Sequence, residues 1–426
     1  MQKPIIVIGG GAAGILAAGI AAQNGARVLL LEKKKRPGLK LCITGKGRCN
    51  LTNTADLPEF IAHFGINGRF LRQAFHRFFS TELLVLFASI GLPVVTERGG
   101  RVFPASGRAG DVVDVLVAWV KSFGVKISTG ATVERLVSDQ GQIIGVVVNN
   151  NMIAAAAVIV ATGGASYPDT GSTGDGYRLA TAVGHRLVPI RPALVPLTSS
   201  DPAILLLNGL QLKNINAALF VNGKKVREAF GELTFTDTGI SGPVILTISG
   251  AVVDALNEGQ KVELHLDLKP ALDDKKLDAR LLRDFQQRHQ EELKNILRGL
   301  LPMAMIPVCL AMTGIPDGRL GHSVTAVERK QLRCWMKNFI IQVNGHRPLD
   351  EAIVTAGGIS VREIDPRTMA SKIVDGLYFA GEVLDLQADT GGFNLQAAFS
   401  TGWLAGLSAA TIHADTRQSD DSTINP

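Results

Sequence analysis

An α/β fold is what the 426-residue sequence predicts. Three observations carry it. A β-branched apolar run, Ile5-Ile6-Val7-Ile8, opens into a glycine-rich turn; a small-residue helix and a second strand follow; and two later apolar runs, at 158–160 and 376–379, also end in glycine turns. The first run reads as a buried parallel strand. It feeds Gly9-Gly10-Gly11-Ala12-Ala13-Gly14, which satisfies G-x-G-x-x-G. A helix is expected over about 12–24, stopped by Gly25, and a strand over 27–31. Glu32 ends that strand, 21 residues beyond Gly11. Each part has a mechanical role in a Rossmann-like unit. Gly9 makes the tight turn, Gly11 lets the backbone approach a pyrophosphate, and Gly14 lets the helix close on the strand. The helix N-terminus offers unpaired N–H groups to phosphates, and Glu32 accepts from a ribose diol. A P-loop does not fit, because Gly45-Lys46 is followed by Gly47 instead of Ser or Thr.

Composition narrows the class. Hydrophobic residues make up 46% and charged residues 19%, a globular balance, and the length suggests two or three domains. Four cysteines exclude a disulfide-stapled secreted scaffold. A net charge of +6 is mild for this size, and aromatics are only 5%, so nucleic acid is not an expected partner. The uncharged stretch 5–23 is rich in glycine and alanine, and 300–316 carries three prolines, so no membrane span is expected and the location expected is cytoplasmic. The eight histidines are scattered without metal-ligand spacing, and no metal is expected.

The rest of the chain decides which dinucleotide is bound. After Glu32 comes a basic, glycine-rich loop, Lys40-Leu41-Cys42-Ile43-Thr44-Gly45-Lys46-Gly47-Arg48-Cys49-Asn50, where a nicotinamide dehydrogenase would continue strand–helix alternation. Residues 131–149 alternate around Asp139-Gln140-Gly141, as a β-meander does. They lead into the 158–160 run with its turn Ala161-Thr162-Gly163-Gly164, and the 376–379 run is followed by Gly381-Glu382. Thr390-Gly391-Gly392-Phe393-Asn394-Leu395 then opens a helix.

This order resembles the two-dinucleotide-binding-domain flavoproteins and, more closely, the BaiN/RdsA-like family of FAD-dependent oxidoreductases. The resemblance runs over 5–406 and is most specific at 44–53, 231–243 and 376–402. It implies that Gly9, Gly11, Ala13 and Gly14 hold the FAD pyrophosphate, with Glu32 and neighbouring Lys33 at the adenosine ribose and Val133 at the adenine. It places Thr44, Gly45, Arg48 and Asn50 on the flavin side, Ala161, Thr162 and Gly163 along the cofactor, and Gly381 with Glu382 at the ribityl chain. The amides of Gly392, Phe393, Asn394 and Leu395 would face the flavin pyrimidine edge. Electrostatics favours that last placement, since a helix N-terminus stabilises the negative charge of a reduced flavin. Where many members carry Asp-Gly ahead of the Gly-Gly pair, this chain has Gln387-Ala388-Asp389, so the turn there is expected to differ.

The expected activity is hydride transfer through flavin N5, from NAD(P)H to a small organic acceptor such as an enone. No second G-x-G-x-x-G exists, so NAD(P)H would dock only transiently as electron donor. Two alternatives stand beside it. Cys42 and Cys49 could form a thiol–disulfide pair, their thiolates favoured by Lys40, Lys46 and Arg48 if exposed, or they pack as small residues. The protein could also be a flavin-holding module that binds RNA or a protein.

The expected organisation is an FAD-binding domain over 1–190 and 348–413, interrupted by a β-barrel-like subdomain (191–268, returning at 325–347) and a small helical subdomain (269–324), with a disordered tail at 414–426. Within it, 111–122 is an amphipathic helix with Val112, Val115, Leu116 and Trp119 inward, and 277–301 reads as one helix with a leucine-rich stripe. The 239–243 turn is the candidate substrate contact in the insert.

Overall fold

The computed structural model describes residues 3–421, with side chains described as far as Thr411. The chain forms two compact units, one from residues up to Pro192 and from Leu349 onward, the other from Ala193–Pro348. Among the described residues no helix is long and apolar enough to cross a membrane. The final helix, Phe393–Asp421, runs through the 413/414 position where the sequence predicts a tail to begin, and 422–426 lie outside the described residues.

The first unit is built on a five-stranded parallel sheet in the order Leu377–Phe379, Ala157–Val160, Ile5–Ile8, Val28–Glu32, Lys126–Thr129. Ile5–Ile8 lies at its centre, buried at every position. The chain leaves that strand toward Val28–Glu32 on one side and returns on the other as Ala157–Val160. The order therefore reverses between Ile5–Ile8 and Ala157–Val160, and a crevice opens beyond their carboxyl ends. Gly9–Gly11 and Ala161–Gly163 are the residues that border it.

The helix that follows the first strand, Ala12–Gln23, is buried from Ala12 to Ala22 and so shows no amphipathic stripe. Two of its neighbours press close against it. On one side a Cβ at Gly402 or Gly406 of the last helix would overlap the carbonyl oxygens of Ala13 and Ala17, one turn apart. On another, a Cβ at Gly19 would run into the Trp119 ring of the Ala109–Ser122 helix. In that helix Val113 and Val120 join Val112 and Leu116 in the core, while Val115 and Trp119 are only partly buried. The difference from the sequence expectation arises because Val113 fills the space left by Gly38, whose Cβ would lie 2.6 Å from both Val113 Cγ atoms.

The expected meander is Val133–Asp139 and Gln142–Val148, turning through Gln140 and Gly141 at positive φ, and a third strand, Asn151–Ala154, extends it. Four short helical stretches, Leu57–Ala62, Gly65–Leu71, Arg72–Arg77 and Ser80–Ser89, follow one another, and a small sheet joins Thr52–Asn53, Arg101–Pro104 and Val94–Thr96.

His185 locks a late strap onto this unit. Ser371 Oγ accepts from the N–H groups of Ile373 and Val374, which leaves its own proton to donate to His185 Nε2 at 2.8 Å. The imidazole is therefore neutral, with Nδ1–H directed at Glu363 Oε2, 3.2 Å away. Burial depresses the His185 pKa, against the pull of Glu363. A base with a depressed folded-state pKa contributes its full stability above the ordinary histidine value of about 6.5 and loses it as pH falls toward the folded value. Urea unfolding of the wild type is expected to weaken below about pH 6.5, and His185→Gln to remove that part of the slope.

The second unit carries a seven-stranded antiparallel sheet in the order Phe339–Val343, Val262–Asp267, Gln211–Val221, Lys224–Phe235, Gly239–Ser241, Leu197–Thr198, Gly345–His346. Its two outermost strands are separated in sequence by Asn344 alone. One residue spans at most about 7 Å between its neighbours' Cα atoms, so the two edges meet and the sheet is barrel-like. Leu197 pairs with His346, and Arg347 N–H donates to Pro196 O at 2.9 Å. Pro243–Asn257 is a helix that sequence reading passed over as part of a β-rich stretch. The expected single helix over 277–301 is broken. Asp274–Gln287 ends at Arg288, whose guanidinium turns back to Glu291 and to the carbonyls of Asn295 and Ile296. Of the predicted stripe, Leu282 is exposed.

Candidate cofactor site

The turn after the first strand is fixed from both sides. Gly9 N–H donates to Leu31 O, Gly10 N–H to Glu32 Oε2, and Gly38 N–H to Gly10 O, each at 2.8 Å. Gly9 has φ +102°, and a Cβ there would lie 2.6 Å from Ala161 O. At Gly11 the opposite holds, since a Cβ would meet nothing within 4 Å. No side chain caps the helix that Gly11 begins, so its first N–H groups face open space with the positive end of the dipole behind them. Gly14 serves the turn more than the strand. A Cβ there would overlap Gly9 O, while Ala161 Cβ would be 3.3 Å away.

Glu32 is buried, and its carboxylate clamps two loops: Oε2 accepts from Gly10 N–H and Oε1 from Lys34 N–H, both at 2.8 Å. Each oxygen keeps lone-pair capacity for a diol. Lys33 turns to Asp175 (2.6 Å) and to the Thr173 hydroxyl, which spends its charge within the protein. Val133 is buried, and its carbonyl accepts from Arg178 Nη2 at 3.4 Å.

Glu382 is the hub of the other half. Lys40 Nζ lies 2.7 Å from its Oε2 and 2.8 Å from Ser166 Oγ, while Thr355 N–H donates to Oε1 at 2.9 Å. Lys40, Ser166 and Thr355 were not singled out from sequence as site residues. Nothing local marks them as one cluster, because they come from three separate segments. Gly381 has φ +77°, and its N–H donates to Thr401 Oγ1 at 3.0 Å.

The expected basic loop is a short helix, Leu39–Gly47, broken at Thr44, Gly45 and Lys46, the last two at φ +58°. Thr44 Oγ1 donates to Leu41 O at 2.8 Å. Arg48 pairs with Glu97 and lies 4.2 Å over the Phe103 ring. Its guanidinium is thus a strut of the loop. The segment meets the start of the last helix: a Cβ at Gly392 would overlap Thr52 O and lie 3.0 Å from Asn50 Oδ1, and Asn53 Nδ2 donates to Gly391 O at 3.0 Å. Asn394 ties the preceding turn by bonding both the N–H and the carbonyl of Ala388. Phe393 is buried, stacked on His63 with centroids 3.8 Å apart, and His63 Nδ1 reaches Asp389 Oδ2 at 3.1 Å. His63 was grouped with scattered histidines because its partners are more than 300 residues away.

The cysteines divide. Both are free thiols, but Cys49 is fully buried and burial pushes its pKa up to about 12. The exposure that thiolate character would require is therefore missing at Cys49, which packs as a small residue and stays a thiol at neutral pH through desolvation. Cys42 is half-buried, 3.7 Å from Arg36 Nη2.

Whether these residues fit FAD is tested by their unmet hydrogen bonds. Asn50 Oδ1, Thr162 Oγ1 and Gln387 Oε1 are buried and lack a partner among the described residues. An unpaired buried polar atom costs about 1–3 kcal/mol. These three lie on the flavin-side loop, the Ala161–Gly163 turn and the run into the last helix. Open space at Gly11, uncapped amides and orphaned oxygens on three converging segments suit a long polar dinucleotide.

The fold and site define a Rossmann-type flavoprotein of the oxidoreductase class. The HI0933-like protein Rossmann domain matches residues 3–408, and the chain belongs to that family. It is 35% identical over 408 residues to a 3-dehydro-bile acid delta(4,6)-reductase of Clostridium scindens, covering 95% of this chain and 98% of that one. It is 31% identical to a ribosomal RNA dihydrouridine synthase of Escherichia coli, covering 93% and 96%. The open conformation of a flavocytochrome c3 fumarate reductase has a similar fold, with a TM-score of 0.53 at 17% identity, covering 97% of this chain and 78% of that one.

Proposed function

We propose that the protein is a cytoplasmic FAD-dependent reductase that takes a hydride from NAD(P)H and saturates a carbon–carbon double bond conjugated with a carbonyl in a small organic acceptor. The observation that carries this reading is the meeting of the Asn50 loop with the Gly392–Leu395 helix start. Bound there, FAD would supply two-electron hydride chemistry at N5. The chain's own part is to bind, orient and compensate charge. The amides of residues 393–395, in the first turn of the last helix, offset negative charge at the pyrimidine edge, Glu32 and the Gly9–Gly14 turn fix the adenylate end, and Glu382, held by Lys40, fixes the middle.

The relatives' names support the reaction class. A 3-dehydro-bile acid delta(4,6)-reductase acts on a steroid dienone, and a dihydrouridine synthase saturates a uracil ring. Both saturate a double bond conjugated with a carbonyl. The purified protein is expected to show flavin absorbance that bleaches anaerobically with NADH or NADPH and recovers on adding a 4,6-dien-3-one steroid. Flavin that neither nicotinamide bleaches would remove the donor half of the reading. Recovery only with uridine-containing ribosomal RNA would replace the small acceptor by a base in RNA.

A further inference from the structure

A cavity of about 590 Å³ lies at one edge of the parallel sheet of the first unit, bounded by the edge strand Lys126–Thr129, the Ala109–Ser122 helix and residues 35–37. Small-ligand sites typically enclose about 300–1,000 Å³. The floor is apolar: Pro37 and Val113 are buried, and Val117 and Ile127 partly so. Three cations, Lys35, Arg36 and Lys121, stand exposed around it beside one acid, Asp114. None of these four charges has an ion-pair partner among the described residues.

The basic run that follows Glu32 is divided between two tasks. Lys33 pairs with Asp175, and Lys34 N–H donates to Glu32, so both serve the ribose side. The next two residues, Lys35 and Arg36, border the cavity instead. Arg36 Nη2 also reaches Cys42 Sγ at 3.7 Å, on the Leu39–Gly47 helix that leads into the flavin-side loop. A long ligand anchored in the cavity thus has a path toward the dinucleotide site.

Each part of the wall restricts the ligand. Three unpaired cations favour a dianion, and a phosphomonoester carries about −1.5 to −2 charges at pH 7. The apolar floor favours a flat body beside that anion, and the Arg36 guanidinium can stack on an aromatic face. Asp114 would repel a plain acyl anion, whereas it accepts from an amino group or a ribose hydroxyl. We propose that this cavity binds an adenosine that carries a phosphomonoester on its ribose 2′ or 3′ position. That chemistry has two sources, the 2′-phosphate of NADPH and the 3′-phosphate of a coenzyme A thioester. The assignment goes beyond the reductase reading and does not depend on it.

The test titrates the FAD-loaded protein by calorimetry with two pairs of ligands, each differing by one phosphomonoester: NADP⁺ against NAD⁺, and coenzyme A against dephospho-coenzyme A. In one pair the phosphorylated member is expected to bind about 10-fold or more tighter than its partner and than inorganic phosphate. Its affinity should fall as salt rises. Arg36→Gln and Lys121→Gln should each weaken that member by about 10-fold at unchanged flavin content. Val117→Trp, which fills the floor without altering charge, should abolish its binding. A difference in the first pair assigns the cavity to NADPH, which should then bleach the flavin at lower concentration than NADH, by a margin that shrinks in Arg36→Gln. A difference in the second assigns it to the thioester. Pairs that bind alike, inorganic phosphate that binds as tightly, or a difference that survives both charge variants overturns the assignment. Flavin that neither nicotinamide bleaches, beside an intact difference within a pair, removes the donor half of the reductase reading and leaves the cavity assignment standing.

Discussion

Replacing Gly14 by valine is expected to strip the protein of its dinucleotide and to destabilise the first unit by about 3 kcal/mol or more, the upper end of what overpacking costs. The Cβ would overlap the Gly9 carbonyl oxygen, and that oxygen has nowhere to go. Gly9 is held by Leu31 through its N–H and backed by Ala161, and Gly10 is held by Glu32 and Gly38. Relief would come only by lifting the Ala12–Gln23 helix, which pulls the first-turn amides off the position where a pyrophosphate would sit. If the strain appeared wholly in binding, about 1.4 kcal/mol per decade makes it on the order of a 100-fold loss of affinity. Flavin absorbance retained through gel filtration reads the first effect, and urea denaturation of apoprotein the second. Full flavin content with wild-type stability would contradict this account of the turn.

The second large effect is expected at the contact between the first helix and the last. Gly402→Val and Gly406→Val should each cost about 3 kcal/mol, because their side chains would enter the backbone of Ala13 and Ala17. The Ala12–Gln23 helix is buried all round, so it cannot retreat without opening a gap elsewhere. Once one valine has displaced the helix the second finds room already made, and the double variant should cost less than the sum. A useful contrast is Gly250, inside the Pro243–Asn257 helix, where a Cβ would meet nothing within 4 Å. Gly250→Ala is expected to stabilise by about 1 kcal/mol through helix propensity. Denaturant midpoints of the four variants check all of this, and additive costs at 402 and 406 would argue against a shared displacement.

The strand–turn–helix–strand from Ile5 to Glu32 is legible because every signal in it is contiguous: β-branched run, spaced glycines, small-residue helix and terminal acid. The Asp139-Gln140-Gly141 turn is legible for the same reason. What escapes a sequence reading is pairing across the chain. Gly402 and Gly406 show themselves as small residues, but nothing in their neighbourhood says that Ala13 and Ala17 are their partners. Lys40 is visible as a charge, yet only folding puts it on Glu382. For Cys49 the sequence leaves thiolate and packed thiol both open, and burial, a tertiary property, decides for the packed thiol. The break at Arg288 is of the same kind, because a leucine stripe continues through it while side-chain hydrogen bonds turn the backbone.

The pairing of Leu197 with His346 carries a consequence for how this chain is assembled. The points where the second unit departs from and rejoins the first are zipped together by a two-residue ladder and by the bond from Arg347 to Pro196. To the nucleotide-binding sheet, the whole interruption behaves as a short staple, since the entropy of closing a loop depends on the distance between its ends and only weakly on what hangs beyond them. A cassette with such a clasp can be exchanged or lengthened with little disturbance to its host, which leaves the second unit free to diverge while the parallel-sheet frame stays fixed.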